Sequence, residues 1–194
     1  SHLAQSSPSP RSDLFRSQWL MPMSDGSIKT IDLSTNASDR DFLFTYIEKT
    51  LAKPKRSASH SEETRKIATA VTQTILTQSQ KYHFDPVLVA SVIATESRFR
   101  VNAQGQHKEQ GLMQLRPDTA AWIAENTDET WSSQMSLFDP VTNIKLGVAY
   151  LALLRKEFGE NEVFLSAYNL GPNLTRKFVK KQIIFSNTNK RCNK

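Results

Sequence analysis

Two Asp-Pro pairs, Asp85-Pro86 and Asp139-Pro140, constrain what this chain can fold into more than any other feature. In each, the aspartate can accept from the free N–H groups of a first helical turn. The proline then sits where its missing N–H has no helical partner to lose. Each pair opens an apolar run, "VLVASVIATES" and "VTNIKLGVAYLALLRKEF", so two helix starts are predicted, with Gly159 as the stop of the second. Other segments carry the same helical spacing. Ser59 or Ser61 is placed to cap a helix bearing Ile67, Val71, Ile75 and Leu76 toward "KYHF". "RPDTAAWIAEN" reads as a shorter helix and "EVFLSAYN" as another, broken at Gly171-Pro172, with "LTRKFVKK" helical beyond. The expectation is a mainly α domain over roughly residues 65–194, without internal repeats.

Upstream the signals change. Residues 1–12 are Ser/Pro-rich and expected to be disordered, and the opening Ser-His-Leu reads as a cloning scar, so its start says nothing of export. Residues 13–60 read as an N-terminal extension. It holds a turn at Asp25-Gly26, a short strand in "SIKTIDL" and a helix in "SDRDFLFTYIEKTLA". Ser38 would cap that helix, with Asp41 in its first turn, and "KPKRSASHS" would link it to the main domain at 61–194. The residues themselves assign no function to the extension. With 38% hydrophobic residues the chain can build a core, and no apolar run is long enough to span a bilayer. Cys192 is the only cysteine, which excludes an internal disulfide and a cysteine metal cage. A net charge of +6 favours a polyanionic partner. That charge is concentrated late: after Glu162, the last acid, come Arg176, Lys177, Lys180, Lys181, Lys190, Arg191 and Lys194. A solvated tail and a polyanion-binding end both fit this pattern. No zinc spacing or RNA-binding motif supports nucleic acid as the polyanion.

One acid is out of place. Glu96 continues the apolar stripe of Val89, Val92 and Ile93 in the last turn of its helix, where a core side chain is expected. Partial burial and the negative end of the helix dipole both favour the neutral carboxyl, the form of a general acid. The bland alternative is an ion pair with Arg98 or Arg100 at the helix end.

Further motifs bear on that choice. "ES" at 96–97, "GLMQ" at 111–114, "DP..NI..G..YL" at 139–151 and "AYNLGP" at 167–172 occur in one order. Together, over about residues 65–180, they resemble the SLT-type lytic transglycosylases, whose catalytic domain is goose-lysozyme-like. The resemblance implies a helical lysozyme-like domain with a small irregular or β-containing loop region beside the catalytic helix. It implies cleavage of the β-1,4 bond between N-acetylmuramic acid and N-acetylglucosamine in peptidoglycan, leaving a 1,6-anhydromuramyl end. Glu96 would act first as acid and then as base, with no metal or organic cofactor. Peptidoglycan glycan strands would be the partner, with no nucleic acid and no integral membrane segment in this sequence, residues 13–60 could engage cell-wall machinery, and the periplasm or cell envelope would be the location. Gly111 would let the backbone approach the sugar, and Met113 and Gln114 would line the groove, although Met113 serves equally as core filling. Tyr168 would place a phenol beside Glu96, Asn169 would fix the turn or meet substrate, and Ser97 would order the loop.

The departures are specific. Family members commonly read like "S..GA.GLMQ"; here Gly105 stands at the serine position and Lys108 and Glu109 at the "GA" positions. His107, Gln106 or a water could replace the lost hydroxyl. Leu170 is bulkier than the small residue usual after "AYN" and would narrow a subsite. Alternatives to transglycosylation are hydrolysis, for which Asp118 or Glu109 could position water, and a non-catalytic peptidoglycan-binding module.

Overall fold

The structure, a computed structural model, describes residues 19–22, 28–31, 37–51, 58–159 and 162–192. The expected disordered segment 1–12 and the Asp25-Gly26 turn lie outside these residues. Strand β1 (Trp19–Pro22) pairs antiparallel with β2 (Ile28–Ile31), Trp19 opposite Ile31 and Pro22 opposite Ile28. The strand expected in "SIKTIDL" is β2.

Among the described residues seven helices follow: α1 (Ala37–Leu51), α2 (Ala58–Tyr82), α3 (Pro86–Ser97), α4 (Pro117–Asn126), α5 (Pro140–Phe158), α6 (Val163–Leu170) and α7 (Pro172–Cys192). Both Asp-Pro pairs act as expected. Asp85 accepts from the Val87 N–H at 2.7 Å and Asp139 from the Thr142 N–H at 2.7 Å, with proline at the first helical position. Gly159, at φ 90°, ends α5. The serine caps are corrected. Ser38 lies within the first turn of α1, and Ser59 and Ser61 lie within α2, which starts at Ala58. A cap needs a non-helical backbone, and serine is an indifferent helix former rather than a breaker, so it does not stop a helix from growing back past it.

Packing centres on α5. Ile144, Val148 and Leu151 face the main core, where they join Val71 and Ile75 of α2 and Val89 and Ile93 of α3. Leu146 and Ala149 face a second, smaller core with Ala120 and Ile123 of α4 and Leu137. A helix buried on two sides shows weak amphipathicity, which is why its pattern looks almost continuously apolar. Leu43 and Ile47 of α1 are fully buried in the main core, so this part of the 13–60 extension packs on the domain. No described helix is long and apolar enough to cross a membrane.

Candidate active site

Glu96 is positioned by the way α3 ends. Arg98 closes the helix in the left-handed conformation (φ 52°, ψ 44°), its N–H donating to the Ala94 carbonyl at 3.1 Å. Phe99 is left-handed as well, at φ 55°. Such a conformation costs a residue with a Cβ about 1–2 kcal/mol. Burial of Phe99 offsets it: the ring is 1% exposed and meets Tyr46 of α1 edge-on at 6.0 Å, and burying such a ring contributes about 1.5–3 kcal/mol. The chain therefore turns away directly after Glu96 and leaves its half-buried carboxyl at the wall of a groove of about 880 Å³.

The ion pair considered for Glu96 is not what surrounds it. The Arg100 Nε donates to the Ser97 carbonyl at 3.0 Å instead. Burial, then the charge of Glu109, hold the Glu96 carboxyl above its ordinary value, and neither influence is a cation or a hydrogen-bond donor. A carboxyl raised on folding contributes stability that is fully present below its unfolded pKa and lost as pH rises through the folded value. The protonated form is thus favoured relative to an exposed carboxyl.

The loop after α3 carries the small β element expected beside the catalytic helix, as single bridges between Gln104 and Gln110 and between Gln110 and Leu115. Asn143 of α5 holds it. This fully buried amide donates through Nδ2 to the Gln110 carbonyl at 2.9 Å and the Leu137 carbonyl at 2.8 Å. Its Oδ1 accepts from the Met113 N–H at 2.7 Å. Gly111 has φ 77°, and a Cβ there would run into the Leu137 carbonyl and the Asn143 amide. Gly147, one turn along α5, leaves the space that the Met113 side chain fills. The motif "DP..NI..G..YL" is thereby accounted for: cap, first-turn proline, loop clamp, methionine seat and, in Tyr150, groove wall.

Not every expected site residue reaches the groove. Glu96, Gln114, Tyr168 and Asn169 line it together. Met113 does not: it is fully buried, so core filling is its role here, and the buried Gly111 shapes the loop beneath rather than approaching a sugar. The Gln114 Nε2 is committed to the Gly111 and Ala103 carbonyls at 2.8 and 3.2 Å, so its amide serves the loop first. The Tyr168 phenol donates to the Met113 carbonyl at 2.8 Å rather than to Glu96. Burial, then the nearby Glu96 and Tyr150, hold that phenol well above its ordinary value. Ser97 is buried and donates to the Ile93 carbonyl at 3.1 Å, a role within the helix end. Leu170 is half exposed at the groove edge.

Other groove residues were not assigned to the site from sequence, although Tyr150 lies in the "DP..NI..G..YL" block and Glu109 was considered for positioning water. Trp122 is 44% exposed and meets Tyr150 edge-on at 6.2 Å, and Tyr150 lies 5.3 Å from Tyr168. Together they form an aromatic wall brought from α4, α5 and α6. Glu109 and Arg116 also face the groove. Their spacing in the loop carries no periodicity that would have revealed this.

A half-buried, protonatable carboxyl in a groove with an aromatic wall is suited to donating a proton to a bound sugar polymer. Comparison with known proteins agrees. Residues 73–189 match the family model described as the transglycosylase SLT domain. Among curated relatives, a putative soluble lytic murein transglycosylase from Haemophilus influenzae is 32% identical over 103 residues, 53% of this chain and 17% of that protein. A membrane-bound lytic murein transglycosylase E from Buchnera aphidicola is 36% identical over 88 residues, 43% of this chain and 39% of its own length. The chain thus spans well under half the length of these relatives. A solved structure of a lytic transglycosylase from Pseudomonas aeruginosa, in an inactive mutant form, superposes with a TM-score of 0.53 at 29% identity, covering 56% of this chain and 18% of that one. The 70 kDa soluble lytic transglycosylase of Escherichia coli shares the fold, with a TM-score of 0.54 at 22% identity over 76% of this chain and 25% of its own. With more than half of its residues inside the family match, this chain belongs to the SLT-domain transglycosylase family, and its fold is the helical, lysozyme-like one.

Proposed function

We propose that the domain cleaves the β-1,4 bond between N-acetylmuramic acid and N-acetylglucosamine of peptidoglycan by lytic transglycosylation. The observation that carries this reading is Glu96: a half-buried carboxyl at a groove wall, raised above its ordinary value by burial, with no cation among the influences on it. The proton of Glu96 passes to the glycosidic oxygen as the bond from C1 to that oxygen breaks. The N-acetyl carbonyl of the muramic acid residue stabilises the cation left at C1, one of the substrate-assisted routes that need no second carboxylate. The Glu96 carboxylate then takes the proton of the C6 hydroxyl while O6 bonds to C1. The 1,6-anhydro ring closes and Glu96 is protonated again, so one residue performs both transfers. Trp122 and Tyr150 offer apolar faces to the C–H faces of the sugar rings, while Asn169 and the Gln114 amide oxygen offer polar partners. Such a substrate places the enzyme in the periplasm or elsewhere in the cell envelope.

The test is clearance of purified sacculi. Glu96→Gln keeps size and hydrogen-bonding capacity but has no transferable proton. Turnover should fall by roughly 10²-fold or more, a usual share for general acid–base catalysis, while sacculus binding persists. Activity within a few-fold of native would move the acid role to another residue.

A further inference from the structure

Gly105 and Glu109 close one end of the loop beside Glu96, with the Gly105 N–H donating to the Glu109 carbonyl at 2.8 Å. The space in front of the Gly105 Cα is not empty. A Cβ placed there would collide with the Glu109 Oε2, and would lie 3.0 Å from the Glu109 Cβ and 3.1 Å from the Gln114 Oε1. The glutamate has therefore folded back into the volume that any side chain at 105 would take. Its carboxylate is held there by the His107 N–H at 2.8 Å, and the His107 Nδ1 lies 3.6 Å away. An oxygen does stand in the position left by the missing serine, but it belongs to an anion four residues later in the chain.

We propose that Glu109 is a positioning residue for the reaction of Glu96: folded into the space that Gly105 leaves open, its carboxylate supplies a fixed negative charge to the groove. A serine hydroxyl there would be neutral and able to donate a proton to a carboxylate. The Glu109 carboxylate can only accept and repel. Burial alone would raise Glu109, but its own N–H, the His107 N–H and the charges of His107 and Arg116 outweigh that and hold it below the usual range. Glu109 stays ionised while Glu96 is raised, by burial first and by Glu109 second. His107 and Arg116 act on Glu109 and Tyr168 lies beside Glu96, while Tyr150, Asp118, Glu157 and Arg176 line the same groove. Two carboxyl groups pushed apart in this way divide into one anion and one acid. The same anion would favour the cation that develops at C1. This inference rests on the proposed function for its purpose, but the coupling between the two carboxyls does not.

The experiment is a carbon-13 NMR titration of the Glu96 side-chain carboxyl in the full chain. The proteins compared are native, Glu109→Gln, Gly105→Ser and the double variant Gly105→Ser/Glu109→Ala. Removing the charge in Glu109→Gln should move the Glu96 midpoint to lower pH. Gly105→Ser should do the same without altering the glutamate, because the new side chain displaces the carboxylate toward solvent. In the sacculus assay the alkaline limb of the kcat/KM profile should move to lower pH in both single variants. The double variant should regain activity relative to Gly105→Ser, keeping the acid-shifted limb. An unchanged Glu96 midpoint in Glu109→Gln and in Gly105→Ser overturns the proposal, even if sacculi are cleaved normally. A native protein that leaves sacculi intact overturns the proposed function instead, and the titration still decides the role of Glu109.

Discussion

Asn143→Ala should be among the most damaging single substitutions outside the groove. Asn143 is fully buried and serves three backbone groups from two segments: the Met113 N–H at 2.7 Å, the Gln110 carbonyl at 2.9 Å and the Leu137 carbonyl at 2.8 Å. Truncation leaves the Met113 N–H and the Leu137 carbonyl without a partner, while the Gln110 carbonyl keeps the Leu115 N–H at 3.1 Å. An unsatisfied buried group costs about 1–3 kcal/mol. Two such groups, partly relieved by water entering the space, give a loss of about 2 kcal/mol or more. That is a large share of the roughly 5–15 kcal/mol that holds a domain of this kind together. Urea denaturation followed by circular dichroism would measure it as a fall in midpoint at unchanged slope. Asn143→Asp sharpens the test. It keeps the acceptor for Met113 but aims a carboxylate at two carbonyl oxygens. Burial would raise that new carboxyl on folding, so the variant should be most stable at low pH and lose stability as pH rises through the folded value. A loss under about 1 kcal/mol for Asn143→Ala, near the net contribution of a single hydrogen bond, would refute the clamp. The Tyr168 bond to Met113 would then be what holds the loop.

Three further outcomes follow from the same geometry. Gly111→Ala, at φ 77° against the Leu137 carbonyl, should destabilise by about 1–3 kcal/mol, as overpacking does, and reduce turnover through the displaced loop; unchanged melting would contradict the contact. Tyr168→Phe removes only the bond to the Met113 carbonyl, so it should cost about 1–3 kcal/mol in denaturation and keep most activity on sacculi. A loss as large as that of Glu96→Gln would give the phenol a direct part in the chemistry. Reversing the charges of Lys180 and Lys181, both exposed on α7, should weaken sacculus binding and make it less salt-sensitive, because screening over about 8–10 Å acts on exposed charges. Arg176 contributes less to that attraction, since Glu157 holds its guanidinium through Oε1 and Oε2. Equal binding by the double variant at low salt would leave the basic end as a solvated one.

What the sequence revealed follows the range of the interaction involved. The starts of α3 and α5 were legible because an Asp-Pro cap acts within one turn. The starts of α1 and α2 were not, since a serine in a helix interior looks the same as a serine at a cap. Glu96 was legible because its position on an apolar stripe is itself a local pattern. Its freedom from Arg100 was not, as it depends on the left-handed turn at Arg98 and Phe99. Which of the two readings of Met113 holds was not legible, for a long-range reason: its core seat is made by Gly147, on another helix. The burial of α1 through Leu43 and Ile47, and the wall that Trp122 and Tyr150 build with Tyr168, likewise depend on packing between distant segments. Glu109 was noticed only as a spare acid. The loop closure that places it in front of Gly105 is visible only in three dimensions.

The most direct test of the central claim is the mass of the muropeptides released from sacculi by the native domain, with Glu96→Gln as the control. Intramolecular attack by the C6 hydroxyl yields 1,6-anhydromuramyl ends, lighter by one water than hydrolysed ends. The account predicts anhydro products from the native protein and almost none from Glu96→Gln. Products carrying the extra water would contradict it and assign the domain to hydrolysis, with a groove carboxylate such as Glu109 positioning the water in place of the C6 hydroxyl.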